Sequence, residues 1–173
     1  MRTVTVVPHN PEWRAEYDAE SHRILQALGP ESITIHHIGS TSVSGIYAKP
    51  IVDMLGIVED LASLDTRANE MEQLGYEVMG EFGIPGRRYF RLNDEEGIRR
   101  FQLHVFVTGS DDVTRHLAFR DFLNAHPTVA REYSELKRQL AKRHSASITD
   151  YMDGKDGFIK DTQMKALRWY GAN

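Results

Sequence analysis

A run of small and hydroxyl-bearing residues, Gly39-Ser40-Thr41-Ser42-Val43-Ser44-Gly45, is followed shortly by Lys49 and Asp53. Small residues let the backbone approach a bound group, and free amides with adjacent hydroxyls can grip phosphate oxygens. The run lacks the Lys-Ser/Thr ending of a Walker A loop and leads into no obvious helix, so it is not a P-loop. Taken alone, such a run is more often a plain connection. Asp53 adds to it, as a lone carboxylate inside the apolar stretch Ile51-Val52-Asp53-Met54-Leu55. Burying an ionised carboxylate is costly unless it is paired, hydrogen-bonded or held against a cation. One reading makes Asp53 a strand-end residue that caps a loop or pairs with Arg or Lys. The other makes it a magnesium ligand at the mouth of a phosphate pocket, with Lys49 meeting phosphate charge.

The surrounding elements must position these groups. Residues 4–7 form a short strand candidate stopped by Pro8. Asn10 and Pro11 open a helix whose stripe of Trp13, Tyr17, Ile24, Leu25 and Leu28 ends at Gly29-Pro30. Residues 33–38 read as a strand, and 50–58 as a nearly continuous apolar strand with neighbours on both sides. Leu61, Leu64, Ala68, Met71 and Leu74 predict one amphipathic helix closed by Gly75. Residues 76–79 form a further strand candidate. Residues 88–92 and 98–107 read as a hairpin, with Gln102 and His104 opposite in facing to Phe101, Leu103, Val105 and Val107. Beyond them, Asp111 or Asp112 caps a helix ending at 124–125, Pro127 starts another, and a last one runs from about 154 to 170. This order predicts one α+β domain over 1–173 whose part from about 111 to 173 is helical.

Composition narrows the function classes. At 173 residues the chain is of single-domain size, and 21 basic against 25 acidic residues leave a net charge of −4. Such a balance offers no field to hold a polyanion, so a nucleic acid is not the expected partner. Without cysteine there is no disulfide framework, thiol nucleophile or Cys-based zinc site, which fits a reducing cytoplasm. No run of ~18 apolar residues suggests a membrane span.

Several blocks together resemble the GrpB family: His37-Ile38-Gly39-Ser40-Thr41-Ser42-Val43, then Gly45 and Ala48-Lys49-Pro50-Ile51-Val52-Asp53, then Gly86-Arg87-Arg88-Tyr89-Phe90 and Leu103-His104-Val105. Phe119-Arg120-Asp121-Phe122-Leu123, Ala125-His126-Pro127, Tyr151, Lys155 and Phe158-Ile159 continue it. The resemblance implies the nucleotidyltransferase fold of the polymerase-β superfamily, a small mixed sheet backed by helices. Because the family's domain also occurs fused to dephospho-CoA kinase, it further implies a functional link to coenzyme A metabolism.

In that superfamily a Gly-Ser turn precedes two alternating strand carboxylates, and a third comes from a neighbouring strand; together they hold two metals for in-line phosphoryl transfer. Here Gly39, Ser40 and Asp53 keep the first part. Period-two geometry places Leu55 where the second carboxylate belongs, and Gln102 or His104 at the third. Two functions stay open. One is a nucleotidyltransferase with a reduced metal site, transferring a nucleotide to a small molecule. In it Asp53 holds Mg²⁺ or Mn²⁺, Gly39, Ser40, Thr41 and Ser42 cradle phosphate, Lys49 and Arg88 offset charge, and His104 deprotonates the acceptor. The other is a non-catalytic module that binds a nucleotide or phosphorylated ligand in the same pocket.

The remaining candidates have bland alternatives. His37 either faces the pocket or simply hydrogen-bonds the Gly-Ser turn. Of the adjacent Arg87 and Arg88, Arg88 is assigned inward, as a phosphate clamp or an ion-pair member. Arg120 reaches the pocket or forms an interhelical salt bridge, and it should not pair with its neighbour Asp121. Lys155, in Asp153-Gly154-Lys155-Asp156-Gly157, reads as a cation at a helix entrance that meets an anion, or as a solvated turn. His9, His22, His116, His126 and His144 show no metal-ligand spacing and are assigned to surface or packing. Val129, Tyr133, Leu136 and Leu140 form a core stripe, while Lys137-Arg138 and Lys142-Arg143 read as a basic edge, solvated given the acidic balance.

Overall fold

The computed structural model describes residues 3–172; Met1, Arg2 and Asn173, the ends of the expected 1–173 span, lie outside the described residues. Among these, the strands are β1 (Thr34–Ile38), β2 (Val52–Val58), β3 (Glu77–Val78), β4 (Arg88–Asn93) and β5 (Arg99–Val107). They form one mixed sheet in the order β1-β2-β5-β4-β3. β2 and β5 run parallel, and the other neighbouring pairs are antiparallel. The helices are α1 (Glu12–Leu28), α2 (Leu61–Asp65), α3 (Ala68–Gln73), α4 (Asp111–Ala125), α5 (Pro127–Arg143) and α6 (Ile148–Gly171). The expected α+β class with C-terminal helices is what the chain adopts.

Strand alternation assigns the two faces of the sheet. Val52, Met54 and Val58 of β2 pack with Trp13, Tyr17, Ile24 and Leu28 of α1 and with Met71 of α3. Leu55 points the other way, joining Ile38 and Phe106 under Val113 and Leu117 of α4. Full burial of each such side chain contributes about 1.5–3 kcal/mol. The loop after β1 is fastened to the helical part, because Val43 and Ile46 sit in a cluster with Ala118, Phe122, Leu123 and Tyr133. That anchoring places the Ser40–Thr41 turn between the sheet and the C-terminal helices.

Four local expectations change. Residues 4–7 form no strand: Val7 and Ala48 make a single antiparallel bridge, flanked by Pro8 and Pro50, which lack the donors to extend a ladder. Val4 instead packs beside Leu140 and Tyr151. The helix expected over 61–74 breaks into α2 and α3, where Thr66 donates its hydroxyl to Ser63 O at 2.6 Å. Arg67, at the break, donates to the carbonyls of Leu28 and Ala27 at the end of α1. The cap of α4 is Ser110, not Asp111 or Asp112. Finally, α6 starts at Ile148, capped by Ser147, so Lys155 lies inside the helix and not at its entrance. Gly154 lets α6 lie close on α5, since a Cβ there would collide with the Leu140 side chain.

Candidate functional site

Register builds the floor of a cleft. Asp53 lies between Ile38 of β1 and Gln102 of β5, and Leu55 lies beside His104. Asp53 and His104 therefore share a face of the sheet, and His104 Nε2 is 3.3 Å from Asp53 Oδ1. Immediately after β1 the chain turns over this carboxylate at Gly39, whose φ is +72°. A Cβ at that position would sit 2.9 Å from Asp53 Oδ2, so both the conformation and the close approach require glycine. Ser40–Ser42 then make one 3-10 turn.

The cleft, about 270 Å³, is lined by the Gly39–Thr41 turn, by Asp53, Gln102 and His104 of the sheet with His116 of α4, and by Lys49, Lys137, Tyr151 and Lys155. Of the residues singled out from the sequence, Gly39, Ser40, Thr41, Lys49, Asp53, Gln102, His104 and Lys155 thus meet in one cavity.

Four others do not line it. Ser42 turns its hydroxyl back to Gly39 O. His37 lies behind the turn, stacked on Tyr17 at 4.8 Å, with Nε2 2.8 Å from Thr41 Oγ1. Burial, chiefly, pushes its pKa down to about 4, so the ring is neutral and acts as a brace for the turn. Arg120 bonds Asp121 at 2.8 Å, against the expectation that these helical neighbours diverge, because the long guanidinium stem folds across. It also donates to His37 O, on a separate cleft with Arg14 and Ser42.

Arg88 is the fourth, and its inward assignment is corrected by the register. Arg88 stands opposite Val105, on the face that packs against α1 and α3, whereas Tyr89 stands opposite His104. Arg88 accordingly forms a two-pronged ion pair with Asp65, at 2.7 and 3.0 Å. Arg87 is the buried one, 8% exposed, donating to Phe82 O at 2.9 Å and approaching His104 Nδ1 at 3.3 Å. Arg88→Ala is expected to cost at most about 1 kcal/mol of stability, as for exposed pairs, and to leave ligand affinity within about twofold. Arg87→Ala should unseat His104; chemical denaturation and titration of the two variants side by side check the contrast.

An arginine can only donate, so His104 Nδ1 accepts from Arg87, and the ring proton sits on Nε2, directed at Asp53. The chain Arg87–His104–Asp53 orients the carboxylate. In this arrangement the lone pair a general base needs points at Arg87 rather than into the cleft.

Sequence reasoning missed Lys137, Tyr151, His116 and Arg87. Lys137 is 1% exposed, buried where a solvated edge is expected, with its ammonium 4.4 Å from the centre of the Tyr133 ring. The signal was present: Lys137 is four residues after Tyr133 and three before Leu140, on the buried stripe of α5. Lys49 and Lys155 approach the ring of Tyr151 at 5.7 and 5.0 Å. Burial lowers all three lysines, Lys137 to about 7 and Lys155 to about 8; repulsion from the neighbouring lysines adds to the shift at Lys137 and Lys155, while Asp53 opposes it at Lys49 and Lys155. Neither Lys137 Nζ nor the Tyr151 hydroxyl has a hydrogen-bond partner among the described residues. His116, held neutral by burial with a pKa of about 3, stacks 6.0 Å from His104.

A divalent metal does not fit these side chains. Asp53 is the one carboxylate on the cavity wall, Leu55 is fully buried under α4, and three lysines line the same cavity. Among the described residues no group of three or more His, Asp or Glu side chains converges to hold an ion. The expected Mg²⁺ or Mn²⁺ site therefore lacks its donor set. No helix among the described residues is long and apolar enough to cross a membrane.

This sheet with its helices is a nucleotidyltransferase-like fold: terminal uridylyl transferase 4 from Trypanosoma brucei, solved with bound dUTP, matches with a TM-score of 0.53 at 15% identity, over 85% of this chain and 52% of that one. Within that fold class the chain belongs to the GrpB family, whose model, GrpB protein, matches residues 3–165. The crystal structure of conserved protein GrpB from Enterococcus faecalis matches with a TM-score of 0.90 at 41% identity, covering 96% of this chain and 99% of that one. The UPF0157 protein YqkA of Bacillus subtilis is 43% identical over 97% of this chain, which spans 48% of YqkA's length. A dephospho-CoA kinase of Mycolicibacterium paratuberculosis is 26% identical over 96% of this chain and 46% of its own length.

Proposed function

We propose that the cleft binds a nucleotide or another phosphorylated small molecule, and that it does so as a binding site rather than as a two-metal transferase. The observation that carries this reading is the convergence of a hydroxyl-bearing turn, one oriented carboxylate and three lysines, the half-buried Lys49 and the buried Lys137 and Lys155, on one cavity. Phosphate oxygens sit between the Ser40–Thr41 turn and the lysines. Asp53, held by His104, accepts a hydrogen bond from a hydroxyl or amino group elsewhere on the ligand. The absence of carboxylates at Leu55, Gln102 and His104 favours binding over transfer, because the in-line reaction depends on metals held at those places. The cavity suits a small molecule, not a polymer, in keeping with the acidic net charge. The likeness to dephospho-CoA kinase is compatible with a nucleotide-like ligand from coenzyme A metabolism.

Calorimetric titration with nucleoside mono-, di- and triphosphates tests the proposal. Saturable one-to-one binding is expected for the wild type. Gly39→Ala should weaken it at least about tenfold, since the new methyl displaces Asp53 and the left-handed backbone is strained by about 1 kcal/mol or more. Failure of every phosphorylated compound to bind, in any buffer, would sink the proposal.

A further inference from the structure

We infer that Lys49, Lys137 and Lys155 stand in for the metal ions of the fold class, so that the cleft receives a di- or triphosphate group as the free anion rather than as a magnesium complex. This rests on the phosphate-binding reading above and specifies what that site takes.

Three separate elements deliver the cations: the segment before β2, α5 and α6. Lys49 and Lys155 converge on the one ring of Tyr151, and Lys137 lies on the ring of Tyr133. Among the described residues no lysine makes an ion pair with Asp53, whose side-chain partner is His104, at 3.3 Å. Burying the Lys137 amine without an acceptor and near two further lysines opposes folding, and a methionine of similar volume would fill the space. An oligophosphate supplies what is missing: several anionic oxygens, enough to engage more than one ammonium group and the unpartnered Tyr151 hydroxyl. A metal-chelated phosphate arrives with much of that charge already neutralised, and its ion would be repelled by three lysines with a single carboxylate to receive it.

The test is titration of inorganic pyrophosphate and tripolyphosphate into the full chain, once with EDTA and once with excess magnesium. Binding in EDTA is expected to be at least as tight as in magnesium. Lys137→Met and Lys155→Met, each checked for folding by melting temperature, should weaken it by at least about tenfold, the usual scale for losing a charged hydrogen bond. Binding that appears only when magnesium or manganese is added would overturn the inference while leaving the phosphate reading intact. So would unchanged affinity in both lysine variants. Silence with and without metal would remove the phosphate reading and this inference with it.

Discussion

Lys137→Met is expected to make the protein more stable and a poorer binder at once. In the folded chain the Lys137 ammonium is buried with no hydrogen-bond acceptor, close to two further lysines, and its pKa is pushed down to about 7. Folding at neutral pH must therefore either release a proton from an amine whose ordinary pKa lies near 10.4 or desolvate the charge. Methionine keeps the volume and the straight stem without the charge. Replacing buried charge by a well-packed apolar residue commonly stabilises by about 1–4 kcal/mol, and for a chain of this length each kcal/mol moves Tm by roughly 2–4 °C. The sign carries a pH signature. Between about pH 7 and 10 the unfolded chain binds more protons at this lysine than the folded one, so wild-type stability from this group rises with pH. The advantage of Lys137→Met should be largest below pH 7 and shrink towards pH 10. Calorimetric melts of both proteins across that range check it. A less stable variant, with the deficit independent of pH, would mean that Lys137 is a packing and cation–π residue rather than a strained binding group.

The same residue marks where reading the sequence reaches its limit. Asp53 was legible because a carboxylate interrupting an apolar strand needs a reason, and Gly39 because a glycine before a hydroxyl run signals an unusual backbone. The parallel β2–β5 pair that brings Gln102 and His104 beside Asp53 is not visible in local pattern; the family likeness implied it. Lys137 was read as solvated because it adjoins Arg138 in an acidic protein, although its spacing from Tyr133 and Leu140 puts it on the buried stripe. What buries it is the packing of α6 on α5, a tertiary event that Gly154 permits and that helix periodicity cannot express. Arg87 and Arg88 were exchanged for a similar reason. Which of two neighbours faces inward depends on a one-residue register set by β5, and the glycine-rich turn before β4 hides it. The break between α2 and α3 escaped because apolar spacing runs straight through it, while the side-chain bonds of Thr66 and Arg67 do not.

Affinity for an oligophosphate should fall as pH rises through the range in which free-state stability increases. Lys137 and Lys155 titrate near 7 and 8 in the free protein, and Lys49 is also lowered by burial. Facing them are Asp53, which favours charge on Lys49 and Lys155, the phenols of Tyr133 and Tyr151, which stay protonated throughout, and His116, which stays neutral. A bound anion favours the ammonium forms, so binding above pH 7 must draw protons from solvent. Below about pH 6 the ligand itself loses charge as its phosphates protonate. Affinity is therefore expected to peak between these limits and to drop roughly tenfold per pH unit for each proton taken up once the lysines are neutral. Titration of pyrophosphate at pH 8 in buffers of different ionisation enthalpy measures the uptake directly. About one proton or more should enter with the ligand in the wild type, and less in Lys137→Met or Lys155→Met. A flat affinity from pH 6.5 to 9, with no buffer dependence, would show that the amines were charged before the ligand arrived and that their burial has no part in recognising it.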